Sequence, residues 1–529
     1  MKRLEEKVNE QARKQKETHA QIFNLPAKIA PVEAPSGTTA SSGVGIAPLE
    51  DNLPQDLAAR MAAIRGVPIA NLHSVYFNGI TFTPGGFIAL EGVFRDRFVG
   101  ADIATPFAAI PFGNVRAGNA NEFRLTSRQS RPSLLAKGDV NPTTHWTAFA
   151  EIDFLGAAQT ANSDESNSFN PRLRQFYASV DQDDFGAHLL VGQAWSFATA
   201  FLNGLNPRQE NIPLTIEHQF IPGFVWARQP QIRVVKDFGD NVSVGLSIEN
   251  PQTTFASGPG APAGPFLNGQ PTAGAAAALP SSLVFNQLPP DGSLFNSSNA
   301  VSLNHMPDII GKVAWDPRIA DRHIHIETTG IFRDFYSQVD NHNQDVAAGG
   351  VGASILIPLI SNTLELQFSS LTGRGIGRYG TSGLPDVTFN SSGAITPLQE
   401  TMLLAGLNWR ATPQLDLYAY AGEERESASF NTVTTPIGAK QAFGYGNPLY
   451  TNAGCAIPGS SACVGDVALV RQLTVGFWDR IYSGPMGQLR VGMQYSFTQK
   501  YSFAGVGGTA KAQENIVLGS FRYYPFGTH

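Results

Sequence analysis

Residues 489–497 read LRVGMQYSF. Leu489, Val491, Met493, Tyr495 and Phe497 share one face of an extended chain; Arg490, Gly492, Gln494 and Ser496 share the other. Side chains alternate along a strand, so this stretch predicts a strand with one apolar and one polar face. The pattern recurs. Val242, Val244, Leu246 and Ile248 oppose Ser243, Gly245, Ser247 and Glu249. Ile324, Ile326, Thr328 and Phe332 oppose His323, His325, Glu327 and Arg333, and Leu403, Ala405, Leu407 and Trp409 oppose Leu404, Gly406, Asn408 and Arg410.

Working outward from these, the alternation predicts sixteen strands: 85–98, 122–131, 143–155, 171–181, 185–195, 223–235, 241–250, 307–317, 322–335, 346–358, 363–373, 398–410, 414–424, 467–480, 488–499 and 513–526. Most are longer than the soluble mode of about 5–6 residues and match the roughly 9–11 that a tilted membrane strand needs. The gaps alternate as well. Those after even-numbered strands are mostly short (182–184, 236–240, 318–321, 359–362, 411–413, 481–487, with 132–142 the longest). Those after odd-numbered strands are long: 99–121, 156–170, 196–222, 251–306, 336–345, 374–397, 425–466 and 500–512. Short turns at one end and long loops at the other are the pattern of an outer-membrane barrel. The expected fold is therefore all-β, a sixteen-stranded antiparallel transmembrane barrel over 85–526. An even strand count puts both barrel ends on the short-turn, periplasmic side.

Composition agrees. Charged residues are 15% of the 529, against about 25% in ordinary soluble chains, with 53 Gly and 34 Phe. No apolar run reaches the roughly 18 residues of a spanning helix. The net charge of -6 gives no case for nucleic acid. Past residue 23 the chain carries 24 Arg and 7 Lys, and Arg suits carboxylate and phosphate partners. Cys455 and Cys463 lie in one Gly/Pro/Ser-rich loop, which predicts a local disulfide in an oxidising compartment, with two free thiols as the alternative.

Before the barrel, Leu4, Val8, Gln11, Gln15, Thr18 and Ile22 alternate at spacings of four and three, a weak heptad seam. It predicts a short periplasmic coiled-coil helix over 1–24; a solvated tail is the alternative reading. Residues 25–84 read as a Pro/Ala/Ser-rich linker with a short amphipathic helix from Pro54 to Gly66. The start, MKRLEEKVNEQARKQ, has no apolar signal-peptide core, so the expected localisation in the outer membrane implies a processed form. The aromatic ending FRYYPF fits the last-strand signal read by the barrel-assembly machinery, although Gly527, Thr528 and His529 follow it.

A barrel of this size encloses an aqueous lumen, and its inward residues decide what passes. Alternation turns Arg95, Arg124, Arg128, Arg333, Arg410 and Arg490 inward, and Arg172, Arg174 and Arg233 with less regular patterning. Glu91, Glu151, Asp153, Glu249, Glu327 and Glu365 are the inward carboxylates. Some of these charges pair with each other and brace the wall. The third long loop of sixteen-stranded porins commonly folds inward, which nominates Phe197, Phe201, Arg208 and Glu210 for a constriction. His323, His325 and Glu327 (HIHIE) sit on one strand face as a metal triad would, but inward polar residues occupy such a face anyway. Gly375–Gly380 (GIGRYG) matches a dinucleotide fingerprint without the helix that should follow. No catalytic residue, metal or cofactor is expected.

The segments GGFIALEGVFRDRF, NEFRLTSRQSRPSLL, NPRLRQFYASVD, LLVGQAWS, RQPQIRVV and RYYPF resemble the DcaP-like outer-membrane porins. The resemblance covers most of 1–526 and is weakest in the long loops. It implies a homotrimer of sixteen-stranded channels with an N-terminal periplasmic coiled coil. It also implies anion-preferring diffusion of small solutes, dicarboxylates among them, with outer-membrane lipid around the barrels. On the matching segments it carries Arg95, Arg124, Arg128, Arg172, Arg174, Arg228 and Arg233 over as pore-lining. The competing readings are a barrel enzyme of lipase or esterase type and a closed structural barrel or adhesin.

Overall fold

The computed structural model describes residues 74–156, 170–217, 221–256, 279–280, 282–287, 301–320 and 322–526. The expected coiled-coil helix and nearly all of the linker lie outside these residues. The described chain forms a closed antiparallel barrel of sixteen strands. We number them β1 (Ile80–Arg95), β2 (Glu122–Thr126 continued by Arg131–Asn141), β3 (Thr144–Asp153), β4 (Arg172–Gln182), β5 (Ala187–Trp195), β6 (Arg228–Phe238), β7 (Val242–Glu249) and β8 (Asp308–Trp315). The second half is β9 (His325–Val339), β10 (His342–Ile360), β11 (Leu364–Arg374), β12 (Gln399–Arg410), β13 (Leu415–Glu426), β14 (Val467–Gly484), β15 (Gly487–Gly505) and β16 (Gly508–Tyr524). Neighbours in sequence are neighbours in space, and β1 closes on β16 with Ile88 opposite Tyr523 and Arg95 opposite Ile516.

All sixteen strands fall where alternation puts them, with four differences. β1 begins at Ile80, inside the span read as linker, and its first residues pair with β2. β2 runs on to Asn141, so the gap read at 132–142 is strand followed by a two-residue turn. Its break at 127–130 hides this, because the inward parity restarts at Arg131. The gaps read as long loops at 336–345 and 500–512 are also strand. β9 and β10 meet at Asp340–Asn341, both at positive φ, and β15 and β16 meet at Val506–Gly507. Two-residue hairpin turns favour Asn, Asp and Gly because those residues tolerate positive φ. Polar outward residues near the hairpin tips masked the alternation.

On β15 the outward row is apolar from Leu489 to Phe497 and polar from Gln499; on β16 it is polar through Asn515 and apolar from Val517. Nine residues at about 3.4 Å each, tilted about 40°, rise about 23 Å, close to the lipid-facing band of such barrels. Ile88, Leu90, Phe123, Phe176, Leu246 and Leu473 are among the large apolar side chains exposed on this outer face. So broad an apolar surface fits hydrocarbon and not water.

The inward rows are polar and nonetheless buried, because loops fill the space beside them. Ile103, Phe107 and Ile110 of the first long loop (96–121), Leu214, Ile216 and Phe224 of the third (196–227) and Leu384 of the sixth (375–398) pack with Tyr418, Tyr420 and Trp478 of the inner wall. Cys455 and Cys463 form a disulfide in the seventh loop (427–466). This loop reaches the first through Asn114 N–H to Cys455 O at 3.0 Å and Gly459 N–H to Asn114 O at 2.7 Å.

Candidate functional site

The third loop crosses the barrel interior. At its base Phe197 and Phe201 are fully buried against the wall. The Arg233 guanidinium lies over Phe197 at 4.7 Å, and the Lys312 ammonium over Phe201 at 4.9 Å. Cation–π contact of this kind strengthens where water is excluded. Glu249 accepts from Phe197 N–H and Glu327 from Phe201 N–H, so wall carboxylates hold the loop backbone as well. The loop then reaches the far wall. Tyr420 Oη accepts from Leu214 N–H at 3.1 Å, Gln494 Oε1 from Ile216 N–H at 2.7 Å, and Trp478 Nε1 donates to Leu214 O at 2.7 Å. It returns along β13, where Glu424 accepts from Gly223 N–H, Thr381 N–H and Ser382 N–H at 2.7–2.9 Å. Gly422 permits this return: a Cβ there would meet Pro222 O at 1.8 Å.

Arg208 and Glu210 lie on the same crossing. Arg208 has positive φ, and its buried Nη1 has no hydrogen-bond partner. Glu210 bridges back to Phe201, and burial pushes its carboxyl up, opposed by Arg233. Glu217 accepts from Thr105 N–H of the first loop. Burial, only partly offset by Arg95, pushes its carboxyl up to about 7.

The inward arginines divide into braces and exposed groups. Arg95 is buried on Glu122 at 3.0 Å and also donates to Thr105 and the Asp102 carbonyl. Arg174 holds Glu151 at 2.6 Å and Asp153 at 3.0 Å; Arg333 holds Asp308 at 3.2 Å and Asp386 at 2.7 Å. Arg233 donates to the Trp195 carbonyl at 2.6 Å, and Arg228 lies over the Trp195 ring at 4.8 Å. Arg410 reaches Asp416 at 3.4 Å, and Arg490 stacks on Tyr524 at 4.6 Å near the short-turn end. Arg124, Arg172 and Arg128 keep more contact with solvent, their side chains 43%, 32% and 22% exposed. Arg124 rests 3.9 Å from Glu122, Arg172 forks onto Asp153, and Arg128 donates to the Phe154 and Gly156 carbonyls at 2.9 Å.

Around Glu151 and Asp153, Arg131, Arg172, Arg174 and Arg228 interact electrostatically, four guanidinium groups against two carboxylates. The other wall is acidic. Glu400 of β12 and Glu426 of β13 stand opposite each other, buried, with all four carboxylate oxygens lacking a hydrogen-bond partner.

Arg131, Lys312 and Arg522 were not read as wall groups from the sequence. Arg522 holds Glu91 at 2.6 Å across the barrel closure and stacks on Phe87 and Trp478. Its alternation with Phe521 and Tyr523 carried the signal; the break in β2 concealed Arg131. The HIHIE residues do not converge. His323 is exposed in a separate turn, while His325 joins Asp316 at 2.7 Å and Glu327 at 3.2 Å. GIGRYG is a loop with a single 3-10 turn over Gly377–Tyr379.

No family model matches the chain, and no curated protein does. Among solved structures it aligns with the outer-membrane channel DcaP of Acinetobacter baumannii, over 85% of this chain and 100% of that one, with a TM-score of 0.56 and 14% identity. The fold is DcaP-like. The anion-selective porin from Comamonas acidovorans (TM-score 0.41, 10% identity, 84% of this chain and 99% of that one) and OprB of Pseudomonas putida (0.43, 8%, 83% and 94%) also align. Within this DcaP-like barrel the six segments quoted above fall on β1, β2, β4, β5, β6 and the end of β16. Those strands carry the arginine-rich wall and its closure.

Proposed function

We propose that this barrel is an outer-membrane channel for passive, anion-preferring diffusion of small solutes, carboxylates among them. The observation that carries the reading is the wall of β2–β6, where guanidinium groups outnumber carboxylates, Arg124 is open to solvent, and Arg128 and Arg172 keep partial solvent contact beside their partners. A guanidinium offers a carboxylate two parallel donors, so a small dicarboxylate can pass from one to the next. A hydrolase reading gains no support from His145, His188 and His325. Each has carboxylates at both ring nitrogens, which leaves no nitrogen for a serine nucleophile.

The assembly we propose is a homotrimer with residues 1–24 in the periplasm. A groove of about 710 Å³ on the outer face, lined by small and apolar side chains such as Ala353, Ser370, Ala405 and Ala421, offers a seat for a second copy. The C-terminal strand would be the part handed to the assembly machinery.

The test is a reversal potential across a planar bilayer under a salt gradient, repeated with a dicarboxylate. Anion selectivity with dicarboxylate block supports the reading; cation selectivity refutes it. A second reading, a gated or closed barrel, is favoured by the apolar packing of the first, third and sixth loops inside the wall. Absence of current at all voltages would select it.

A further inference from the structure

On the outer face, away from the lumen, His305 meets Asp334 of β9 and Asp345 of β10. His305 Nε2 lies 3.1 Å from Asp334 Oδ2 and 3.0 Å from Asp345 Oδ1, and the three ligand atoms lie within 4.8 Å of one another. We propose that these three side chains bind a divalent first-row transition ion, with Zn2+ as the representative.

An ion pair alone accounts poorly for the arrangement. One N–H cannot point at two carboxylates at once, and a second carboxylate adds repulsion. Asp334 makes the point: its side chain is 8% exposed, and Oδ2, aimed at His305, receives no directed hydrogen bond. A buried carboxylate oxygen without a donor costs free energy that a metal ion removes. The spacing suits one. Zn–N of about 2.0–2.1 Å and Zn–O of about 2.0–2.2 Å put tetrahedral ligand atoms roughly 3.3–3.5 Å apart, a few tenths of an ångström from the two distances His305 Nε2 now makes to the carboxylates. One imidazole with two carboxylates leaves a position for water, and the imidazole favours zinc-like ions over Mg2+ or Ca2+.

The ring is held for the task. Tyr336 packs on His305 with centroids 4.5 Å apart, and Tyr336 is fixed by donating to Asn343 at 2.9 Å and accepting from Gln338 at 2.9 Å. Along β9 the outward row runs Ile326, Thr328, Gly330, Phe332 and then Asp334, so the site sits just past the apolar band on the long-loop side. Metal there would pin the end of the fourth loop to the β9–β10 hairpin without touching the permeation path.

The test is Zn2+ titration of the chelator-stripped full-length protein in detergent, against His305→Ala and Asp345→Asn, with Co2+ absorption as the second readout. The wild type should bind one more equivalent than either variant, or bind at least about tenfold tighter, since even outer-sphere changes cost 10–100-fold. The Co2+ visible bands should vanish in His305→Ala. Folded-barrel migration on a gel shows that both variants are intact. Equal zinc stoichiometry and affinity in all three proteins, or binding of Mg2+ and Ca2+ in preference to Zn2+, would overturn the proposal.

Discussion

Arg124 offers the sharpest test of the channel reading. Its side chain is 43% exposed, and its neighbour Glu122 keeps Arg95 at 3.0 Å if Arg124 is lost, so Arg124→Gln removes charge without stranding a carboxylate. An anion passing about 5 Å away through water gains about 0.8 kcal/mol from that charge, and a cation loses as much. Screening at 0.1 M salt, with a Debye length of about 10 Å, leaves roughly 0.5 kcal/mol each way. The two effects combine to about 1 kcal/mol, so the anion-to-cation permeability ratio should fall about fivefold. At 1 M salt the same arithmetic gives less than about twofold. Arg124→Lys keeps the charge and should keep the ratio. Reversal potentials at both salt concentrations measure all of this. An unchanged ratio in Arg124→Gln at 0.1 M, with current still flowing, would refute the assignment of Arg124 to the permeation path.

Three further outcomes follow from the loops. Glu217, near its ordinary 4.5 when undocked and about 7 when packed, binds more protons in the packed state. The packing of Glu217 against the first loop is then strongest below about pH 4.5 and loses on the order of 3 kcal/mol as pH rises to about 7, because burial disfavours the ionised carboxylate. Hydrogen exchange at 103–107, corrected for intrinsic rates, should speed up across that window, and Glu217→Gln should flatten the response. Gly422→Val pushes the Pro222 carbonyl off the wall and should raise single-channel conductance; unchanged conductance would mean that the return limb does not narrow the path. Cys455→Ser with Cys463→Ser opens a short covalent loop worth up to about 2.5 kcal/mol, so the seventh loop should be nicked faster by protease while the barrel stays folded.

Strand positions and inward arginines were legible because period two survives wherever one face meets lipid. Leu489–Phe497 is the clearest case. Legibility failed where the outer face is polar, as at Tyr501, Thr509 and Lys511, because neither face is then apolar and alternation vanishes. The solvent contact of each arginine was not legible. Arg333 and Arg124 alternate alike, yet one is locked between Asp308 and Asp386 and the other is open. That difference is made by the inward loops, whose paths depend on contacts far apart in sequence, such as Gln494 on Ile216 and Tyr420 on Leu214.

The closure of β1 on β16 has a consequence for assembly. β16 reaches β15 through a two-residue turn, so that hairpin is local and quick to form. Glu91 and Arg522 are 431 residues apart, so the seam between them is as non-local as that hairpin is local. Until they meet, both end strands present unpaired edges, and both side chains stand in water. Once they meet, the pair is shut away at 2.6 Å beneath Phe87 and Trp478. The last hydrogen-bonded ladder and the most deeply enclosed ion pair therefore form in the same event. A half-zipped cylinder gains neither, so the step from open sheet to sealed wall is close to all-or-none, and it is there that a catalyst of insertion has the most to do.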